Sequence, residues 1–376
     1  MNILITGGAG FIGSSLALGL LEKGHNVTIL DNLSKQIHGE NPQNSFLYQR
    51  IQNRFNFLKG DVQNQDDCRK ALKNQDVVVH LAAETGTGQS MYEIKKYCDC
   101  NVSGTAVLLD LITNDKLPIK KVIVASSRAI YGEGKYRCAR HGDVYPVSRK
   151  DELMRAGKFE CTCPHCDDQL TLRPTDENSK IHPTSIYGIT KYTQEEMIHS
   201  VGRALHIPTV AFRYQNVYGP GQSLTNPYTG ILSIFSTRIR NRKDIVIFED
   251  GKESRDFVFI DDVVKATIMG IESENADYKS FNVGTGDSVS VIEIAEELIK
   301  NFGIEVLLHI SGTYRLGDIR HNFADISAIK SQLGFIPQVS IQQGIEKFVA
   351  WVKSQEMVND GYEKSLEEMK LKGLYK

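Results

Sequence analysis

The chain has 376 residues, of which 41% are hydrophobic and 24% are charged, and its formal net charge is −2. This length and composition allow a large buried core in one extended unit or in two closely joined domains. The nearly neutral charge excludes a broad electrostatic surface for nucleic acid or for an anionic membrane, so any bound phosphate must be met by a local site. The sequence begins directly on a strand pattern and has no apolar run of ~18 residues, so we expect a cytoplasmic protein without a membrane span.

In the first part of the chain, short apolar runs rich in β-branched residues alternate with helical patterns. The predicted strands are Asn2–Thr6, Val27–Asp31, Phe55–Lys59, Val77–His80 and Lys121–Ala125. The predicted helices are Phe11–Lys23, Cys68–Lys73 and Met91–Leu111. This alternation predicts an α/β fold, a Rossmann-type doubly wound parallel sheet.

After about residue 180 the pattern becomes mixed and predicts a smaller, mixed C-terminal region. We predict helices at Tyr187–Leu205, Tyr228–Asn241 and Val291–Asn301, and a strand at Thr209–Tyr214. The tail Gln355–Lys376 is mostly charged and helix-prone. We expect it to form a solvated surface helix.

A glycine-rich segment follows the first strand and opens the first helix, which is the context that makes such a pattern specific for a dinucleotide. Glycines let the backbone approach a pyrophosphate, whose charge is met by unpaired amides and the helix dipole. Asp31 closes the second strand, where its carboxylate can accept hydrogen bonds from ribose hydroxyls and would repel a 2′-phosphate. The cofactor predicted here is therefore NAD rather than NADP. The residues assigned to it in this part of the chain are Gly7, Gly10, Phe11, Ile12, Gly13, Asp31 and Asn32.

Further candidate cofactor residues follow the third and fourth strands. Asp61 can hold the adenine edge or can be an ordinary turn residue at a strand end. The small side chains after His80 leave room for a cofactor to pass. The complete set of these candidates is Asp61, Val62, Leu81, Ala82, Ala83 and Asn101.

Three residues form the predicted reacting group. Tyr187 and Lys191 lie one helical turn apart, so their side chains project from the same face of a helix. A neighbouring ammonium and a positive nicotinamide ring both stabilise a phenolate, so we expect the pKa of Tyr187 to be lowered and this residue to act as a base. Ser127 follows the fifth strand, at the edge where an open α/β sheet binds its ligands, and its hydroxyl can relay or steady the moving proton.

With these residues the chain resembles the extended short-chain dehydrogenase/reductase family, in particular its nucleotide-sugar epimerases and dehydratases. The resemblance covers most of residues 1–350 and adds three later motifs: Arg213-Tyr214-Gln215-Asn216-Val217-Tyr218-Gly219-Pro220, Arg255-Asp256-Phe257-Val258 and Arg315-Leu316-Gly317-Asp318. It implies that Asn216 contacts a nucleotide sugar and that Arg255 and Arg315 bind its diphosphate, although each arginine can instead be a structural ion-pair partner. Thr87 and Arg128 complete the candidate substrate residues, together with Ser127. It also implies a homodimer packed through helices at 91–111 and 187–205.

The residues after Ser127 bear on the reaction. Relatives that eliminate water carry an acidic pair there, and decarboxylating relatives carry a glutamate, whereas this chain has Arg128 and Ala129. Without an acidic residue at these positions, the chain retains the groups for a reaction that needs only one base and one hydride acceptor. This predicts epimerisation at C4 through a transient 4-keto sugar.

A finer resemblance concerns the substrate. The segment Glu84–Glu93, Tyr136-Arg137-Cys138 and a Cys-rich stretch resemble the dTDP-L-rhamnose 4-epimerases, which interconvert dTDP-L-rhamnose and dTDP-6-deoxy-L-talose. A UDP-hexose or UDP-uronate 4-epimerase is the alternative. A one-way NAD-dependent nucleotide-sugar dehydrogenase or reductase, or a module that senses NAD without turnover, are alternatives of other classes.

The Cys-rich stretch predicts a metal site. The chain has seven cysteines, an odd number, and reduced thiols in clusters favour metal binding over disulfides. Cys138-x-x-His141 and Cys163-x-x-Cys166 form two short knuckles that predict a structural zinc ribbon, with Cys161 and His165 as spare ligands. Reduced thiols in a flexible loop are the alternative. Because this insert separates Ser127 from Tyr187, an ordered ribbon could form a wall or lid of the sugar pocket.

These patterns predict three regions. Residues 1–132 and 181–215 form an NAD-binding Rossmann domain, and residues 133–180 form the zinc-ribbon-like insert. Residues 216–376 bind the nucleotide sugar, with some return of the chain to the Rossmann domain.

Overall fold

The computed structural model describes residues 1–226, 228, 230–358 and 361–376. Its largest sheet has seven parallel strands in the spatial order β7-β6-β5-β4-β1-β2-β3. In chain order these are β1 Asn2–Thr6, β2 Asn26–Asp31, β3 Asn56–Lys59, β4 Val77–His80, β5 Lys121–Ser127, β6 Thr209–Tyr214 and β7 Lys279–Val283. The sheet confirms the predicted Rossmann-type α/β fold. The chain order reverses between β1 and β4, and ligands of such sheets bind beyond the carboxyl ends of the strands at this point.

The longer helices cover both faces of this sheet and build a second lobe. They are α1 Phe11–Glu22, α2 Gln65–Leu72, α3 Gly104–Asn114, α4 Ile186–Leu205, α5 Ile231–Arg240, α6 Ile260–Glu272, α7 Val291–Phe302, α8 Ile341–Ser354 and α9 Tyr362–Leu371. Alternate residues of β1 enter different cores: Ile3 and Ile5 pack on the side of α1, and Leu4 packs on the side of α3. In the described part of the chain, no helix combines the length and apolarity needed to cross a lipid bilayer.

The second lobe has its own apolar core between α5, α7 and α8. This part of the chain also forms small sheets of two or three strands. Their strands are Asn216–Tyr218 with Phe257–Phe259, Ile245–Ile247 with Leu308–Ile310, and Ser254–Arg255 with Val289–Ser290 and His321–Asn322.

The insert forms a small antiparallel sheet of Tyr136–Cys138, Gly142–Val144 and Thr171–Leu172. A short helix, Asp151–Arg155, lies in the chain between the last two of these strands. A buried ion cluster ties it to the second lobe. Arg149 of the insert bonds Glu249 at 2.7 Å, and Arg320 bonds Glu160 of the insert at 2.5 Å. Burial of both guanidinium groups is possible because each has carboxylate partners.

Three predicted helices differ from the structure. Met91–Leu111 is helical only from Ile94 onward, and it continues without a break through Ile94–Tyr97, a π-helical turn at Cys98–Ser103 and α3. The predicted start of Tyr228–Asn241 includes Thr229, which lies outside the described residues, and the helix observed there is α5. The tail is helical only over α9, and that helix is not fully solvated, because its apolar residues pack against the rest of the chain.

Candidate active site

A cavity of about 540 Å³ opens beyond the carboxyl ends of the parallel strands. It extends from Asp31 and Asp61 at one end, past Ser127 and Tyr187, to Arg315 in the second lobe. A cavity that is lined by Asp31 and Asp61 of the Rossmann part and by arginines of the second lobe can take two ligands.

The glycine-rich turn after β1 leaves backbone, rather than side chains, facing this cavity. Gly7 has a φ of +69°, and a Cβ there would lie 2.7 Å from the Ala82 nitrogen. A Cβ on Gly13 would lie 2.3 Å from the Gly7 oxygen. Helix α1 starts after Gly10 without a side-chain cap, so its first amides are available to an anion. The five residues predicted here, Gly7, Gly10, Phe11, Ile12 and Gly13, all line the cavity.

Asp31 shapes this turn as well as lining the cavity. Its Oδ2 accepts a hydrogen bond from the Ala9 amide at 2.9 Å, and its Oδ1 accepts one from the Leu33 amide at 2.8 Å. Burial raises the pKa of the Asp31 carboxyl above its usual value, which these two bonds oppose. Since each carboxylate oxygen has a second lone pair, the group can still accept hydrogen bonds from a ligand.

The other predicted cofactor residues divide into two groups. Asp61 receives hydrogen bonds from Asn32 Nδ2 and from the Gln63 amide, both at 2.9 Å. Those that line the cavity are Asn32, Asp61, Val62, Leu81, Ala82 and Ala83. Asn101 does not line it and is fully buried.

Asn101 instead joins neighbouring segments of the protein. Its Oδ1 accepts a hydrogen bond from the Glu84 amide at 2.8 Å, and its Nδ2 donates to Thr190 Oγ1 at 2.9 Å. In this structure Asn101 therefore connects the π-helical turn to α4, and its assignment as a cofactor residue stays a prediction.

Ser127 and Tyr187 meet at the middle of the cavity. Ser127 ends β5, and its Oγ accepts a hydrogen bond from the Ala129 amide at 3.2 Å. Tyr187 lies in the first turn of α4, and its amide donates to Ser90 Oγ at 3.1 Å. Burial raises the pKa of Tyr187, while a hydrogen bond with Ser127 and the charge of Arg128 act in the opposite direction.

Lys191 lies one turn further along α4 and is 2% exposed. Its Nζ donates to Gln194 Oε1 at 2.7 Å, and burial lowers the pKa of the ammonium to about 8. The sequence predicted a lowered pKa for Tyr187. In the chain without a cofactor this pKa is instead raised, because burial outweighs the effects of Ser127 and Arg128, which stabilise the phenolate. Gln194 was not predicted; it is held in turn by its Nε2, which donates to Thr105 Oγ1 at 2.8 Å.

The arginines form a positively charged wall next to this group. Arg128 Nε donates to Asn216 Oδ1 at 3.0 Å, and burial, followed by the charge of Arg255, lowers the pKa of Arg128 to about 9. Arg255 donates to the Ile319 and Arg320 carbonyl oxygens at 2.6 and 2.8 Å.

Arg315 completes this wall. It forms an ion pair with Asp318, and its guanidinium lies 5.2 Å from the centre of the Phe248 ring. Arg315 therefore has a structural ion-pair partner, which was the alternative to substrate binding. All the predicted substrate residues nevertheless line the cavity: Thr87, Ser127, Arg128, Asn216, Arg255 and Arg315.

Several lining residues were not predicted. Among them are Gln222, Phe235, Phe248, Glu253 and Tyr362. Burial, and then the charge of Glu249, raises the pKa of Glu253 to about 7. Phe248 and Glu253 precede the Arg255 motif closely enough that this motif could have indicated them. Tyr362 belongs to the tail, where no sequence signal pointed to a site.

The two predicted knuckles of the insert come together in space. Cys138 Sγ lies 3.5 Å from His141 Nδ1 and 3.7 Å from Cys166 Sγ, and Cys163 Sγ lies 3.5 Å from the same His141 nitrogen. All four ligand atoms lie within 4.8 Å of one another. Cys161 is buried outside this group.

The insert does not form a wall or lid of the cavity, contrary to the expectation. None of the described cavity-lining residues belongs to 133–180. The insert lies behind the loop 315–320 instead: Arg149 donates to the Asp318 carbonyl oxygen at 2.9 Å, and Glu133 accepts a hydrogen bond from the Arg320 amide at 2.7 Å. It therefore supports the loop that carries Arg315.

Comparison with known proteins agrees with this geometry. The sequence matches the NAD dependent epimerase/dehydratase family over residues 3–149 and 160–284. It is 35% identical to a dTDP-L-rhamnose 4-epimerase of Burkholderia thailandensis, covering 94% of this chain and 95% of that protein. It is 32% identical to a putative UDP-glucose 4-epimerase of Methanocaldococcus jannaschii, covering 94% and 98%.

A solved structure gives the same fold. The UDP-glucuronic acid 4-epimerase of Bacillus cereus, in complex with UDP-glucuronic acid and NAD, superposes with a TM-score of 0.76 at 28% identity and covers 94% of this chain and 99% of that chain. These similarities confirm the resemblance to extended short-chain dehydrogenases/reductases. The chain belongs to the NAD dependent epimerase/dehydratase family.

Proposed function

We propose that this protein catalyses NAD-dependent epimerisation at C4 of a nucleotide-diphosphate sugar through a transient 4-keto intermediate. The observation that carries the proposal is one continuous cavity in which the glycine turn, the Ser127–Tyr187 pair and the arginine wall follow one another. A dinucleotide fits the first part, and an anionic sugar nucleotide fits the last part.

The residues of the chain divide the chemistry between them. Bound NAD supplies a hydride acceptor for C4 and a positive ring that stabilises a phenolate. Tyr187 takes the proton of the C4 hydroxyl and returns it after the 4-keto sugar has presented its other face. The Ser127 hydroxyl lies in the same cavity as Tyr187 and lowers the pKa of its phenol, so it can steady the moving proton. Lys191 places a cation one turn below the phenol, held by Gln194.

The groups next to Ser127 favour epimerisation over elimination of water. Arg128 donates to Asn216, and Ala129 has no ionisable group. Neither residue supplies the carboxyl group that the resemblance assigns to relatives that eliminate water, so the 4-keto sugar is expected to return to an alcohol at the same carbon.

For the substrate we propose dTDP-L-rhamnose and dTDP-6-deoxy-L-talose, supported by the 35% identity to the Burkholderia thailandensis protein of that name. A UDP-hexose or UDP-uronate is the second candidate, supported by the UDP-glucose and UDP-glucuronic acid epimerases among the relatives. The test is to incubate the purified protein with UDP-, dTDP-, GDP- and CDP-sugars and to detect C4 inversion by NMR. Net formation of NADH during that reaction would instead identify a one-way dehydrogenase.

We also propose a cytoplasmic homodimer and the three-region division predicted from the sequence. The proposed dimer helices leave large apolar side chains in solvent in the single chain: Ile94 is 48% exposed and Ile189 is 47% exposed. Covering such side chains is favourable in proportion to the apolar area removed from water. Light scattering gives the mass of the assembly.

The insert is proposed to hold one structural zinc ion through Cys138, His141, Cys163 and Cys166. Zn–S and Zn–N bonds of about 2.3 and 2.0 Å place tetrahedral ligand atoms about 3.5–3.8 Å apart. Three of the six ligand-atom pairs lie 3.5, 3.5 and 3.7 Å apart, in agreement with this value, and all six lie within 4.8 Å. A closed set of four protein ligands leaves no position for substrate, so the role of the ion is structural.

Replacing Arg315 with alanine is expected to raise the KM for the nucleotide sugar far more than it changes retained NAD. A charged hydrogen bond is worth about 1.5–3 kcal/mol, which corresponds to roughly a tenfold to hundredfold change. Arg255→Ala should act in the same direction and also loosen the loop around Ile319. Arg203→Ala, an exposed arginine of α4, is the control. Loss of NAD with an unchanged KM would contradict this assignment.

Replacing Asp31 with alanine and Asn32 with arginine is expected to weaken NAD binding and to admit NADP. The change removes the carboxylate that repels a 2′-phosphate and adds a cation beside it. Asn32→Arg alone keeps the carboxylate and serves as the control. The measurement is the NAD and NADP content of each purified variant after incubation with both. An unchanged ratio in the double variant would remove Asp31 from the ribose site.

A further inference from the structure

The C-terminal segment, residues 361–376, packs against the cavity instead of extending into solvent, and we call it the C-terminal strap. One face of α9 is buried: Tyr362 is 8% exposed, Ser365 2% and Met369 4%. The Tyr362 side chain lines the cavity itself. The opposite face of the same helix is exposed, and Leu371 at its end is 86% exposed.

Backbone pairing fixes the end of the strap to the second lobe. The Tyr314 amide donates to the Lys376 carbonyl at 2.8 Å, and the Leu316 amide donates to the Leu374 carbonyl at 2.9 Å. Arg315 lies between these two residues, and its backbone pairs with that of Tyr375 in the strap.

A carboxylate of α9 connects the strap to the Rossmann part and to Tyr228, which lines the cavity. Glu368 Oε2 accepts hydrogen bonds from the Tyr228 and Tyr92 hydroxyls, the latter at 3.5 Å. Tyr92 follows the short helix Thr87–Ser90 of the Rossmann part, and Thr87 lines the cavity. The strap therefore crosses from one lobe to the other.

The strap covers a particular end of the cavity. Ser127 and Tyr187 mark the position of the reacting sugar, and Arg315 marks that of the diphosphate. In the second lobe the cavity lining contains the apolar and aromatic residues Phe235, Phe248, Val291 and Tyr362, together with the acidic residues Glu249 and Glu253. Flat aromatic walls are suited to the planar base of a nucleoside.

We propose that the C-terminal strap forms the outer wall of the nucleoside end of the nucleotide-sugar site, with Tyr362 contacting the nucleoside. The strap must open for the substrate to enter and for the product to leave. This inference rests on the proposed function, because it takes a sugar nucleotide as the ligand. It adds a binding residue from a part of the chain that the Rossmann motifs do not reach.

The test titrates the NAD-loaded enzyme with dTDP and with UDP in a calorimeter. Tyr362→Ala is expected to weaken nucleotide binding about tenfold or more, since it removes the aromatic wall. Glu368→Gln, which weakens the connection to Tyr92 and Tyr228, is expected to weaken it severalfold. Glu367→Gln and Leu371→Ala change exposed positions of the same helix and should bind as the parent does. Retained NAD should be the same in every variant.

A second measurement does not depend on any substitution. Trypsin cleavage of the parent enzyme at Lys364 and Lys370 should slow when dTDP or UDP is bound, because the ligand holds the strap closed. Equal binding by Tyr362→Ala and the parent, or cleavage unaffected by a nucleotide that binds, would overturn the proposal. A parent enzyme that binds neither nucleotide would instead contradict the proposed function.

Discussion

Replacing Tyr187 with phenylalanine is expected to lower the rate of C4 epimerisation by roughly 10²–10⁴, the usual effect of losing a general base. The ring would still fill its place beside Tyr97, whose ring centre lies 6.5 Å away. NAD content should therefore stay close to that of the parent. The measurement is the initial rate of epimer formation by NMR, together with the NAD released on denaturation.

Tyr192→Phe is the matched control, because Tyr192 lies on the same helix and is not among the residues that line the cavity. It should epimerise at the parent rate. Epimerisation by Tyr187→Phe at the parent rate would show that another group takes the C4 proton.

Replacing Cys163 and Cys166 together with serine is expected to remove most of the zinc, from about one ion per chain to nearly none. Two of the four proposed ligands are lost, and structural zinc sites in small peptides contribute an apparent 10–16 kcal/mol, on the order of a whole domain's stability. The melting temperature should fall. The KM for the nucleotide sugar should rise, because Arg149 and Glu133 of the insert hold the loop that carries Arg315.

Cys161→Ser is the control within the insert, since Cys161 lies outside the four-residue group. It should keep its zinc by elemental analysis. A parent protein that contains no zinc and is nevertheless fully ordered and active would end the zinc proposal.

The sequence predicted best what is local in the chain. Strands such as Val77–His80 carry their own pattern, and Gly7 and Gly13 mark a turn that admits no side chain. Cys138-x-x-His141 and Cys163-x-x-Cys166 each place two candidate zinc ligands at short range, and the structure brings the two pairs together. Candidate ligands of this kind can be recognised without knowing the fold.

Features that depend on contacts between residues far apart in the chain were not predicted. The Asn101 side chain bonds Glu84 and Thr190, which lie 17 and 89 residues away in the chain, and no spacing pattern indicated these partners. The charged tail was predicted to be solvated, because the buried face of α9 is short and partners such as Tyr228 and Tyr92 lie 140 and 276 residues before Glu368 in the chain. The opposing effects on the Tyr187 pKa also depend on burial, which no spacing of residues reveals.

In the proposed reaction a hydride leaves C4 and returns to the same carbon within one enzyme. The most direct test uses a nucleotide sugar carrying deuterium at C4, incubated with the purified enzyme in ordinary water. We expect the C4 epimer to keep its deuterium at C4, and we expect no accumulation of NADH. Loss of the deuterium to solvent, with inversion at C4, would contradict hydride transfer and would require an epimerisation by proton exchange.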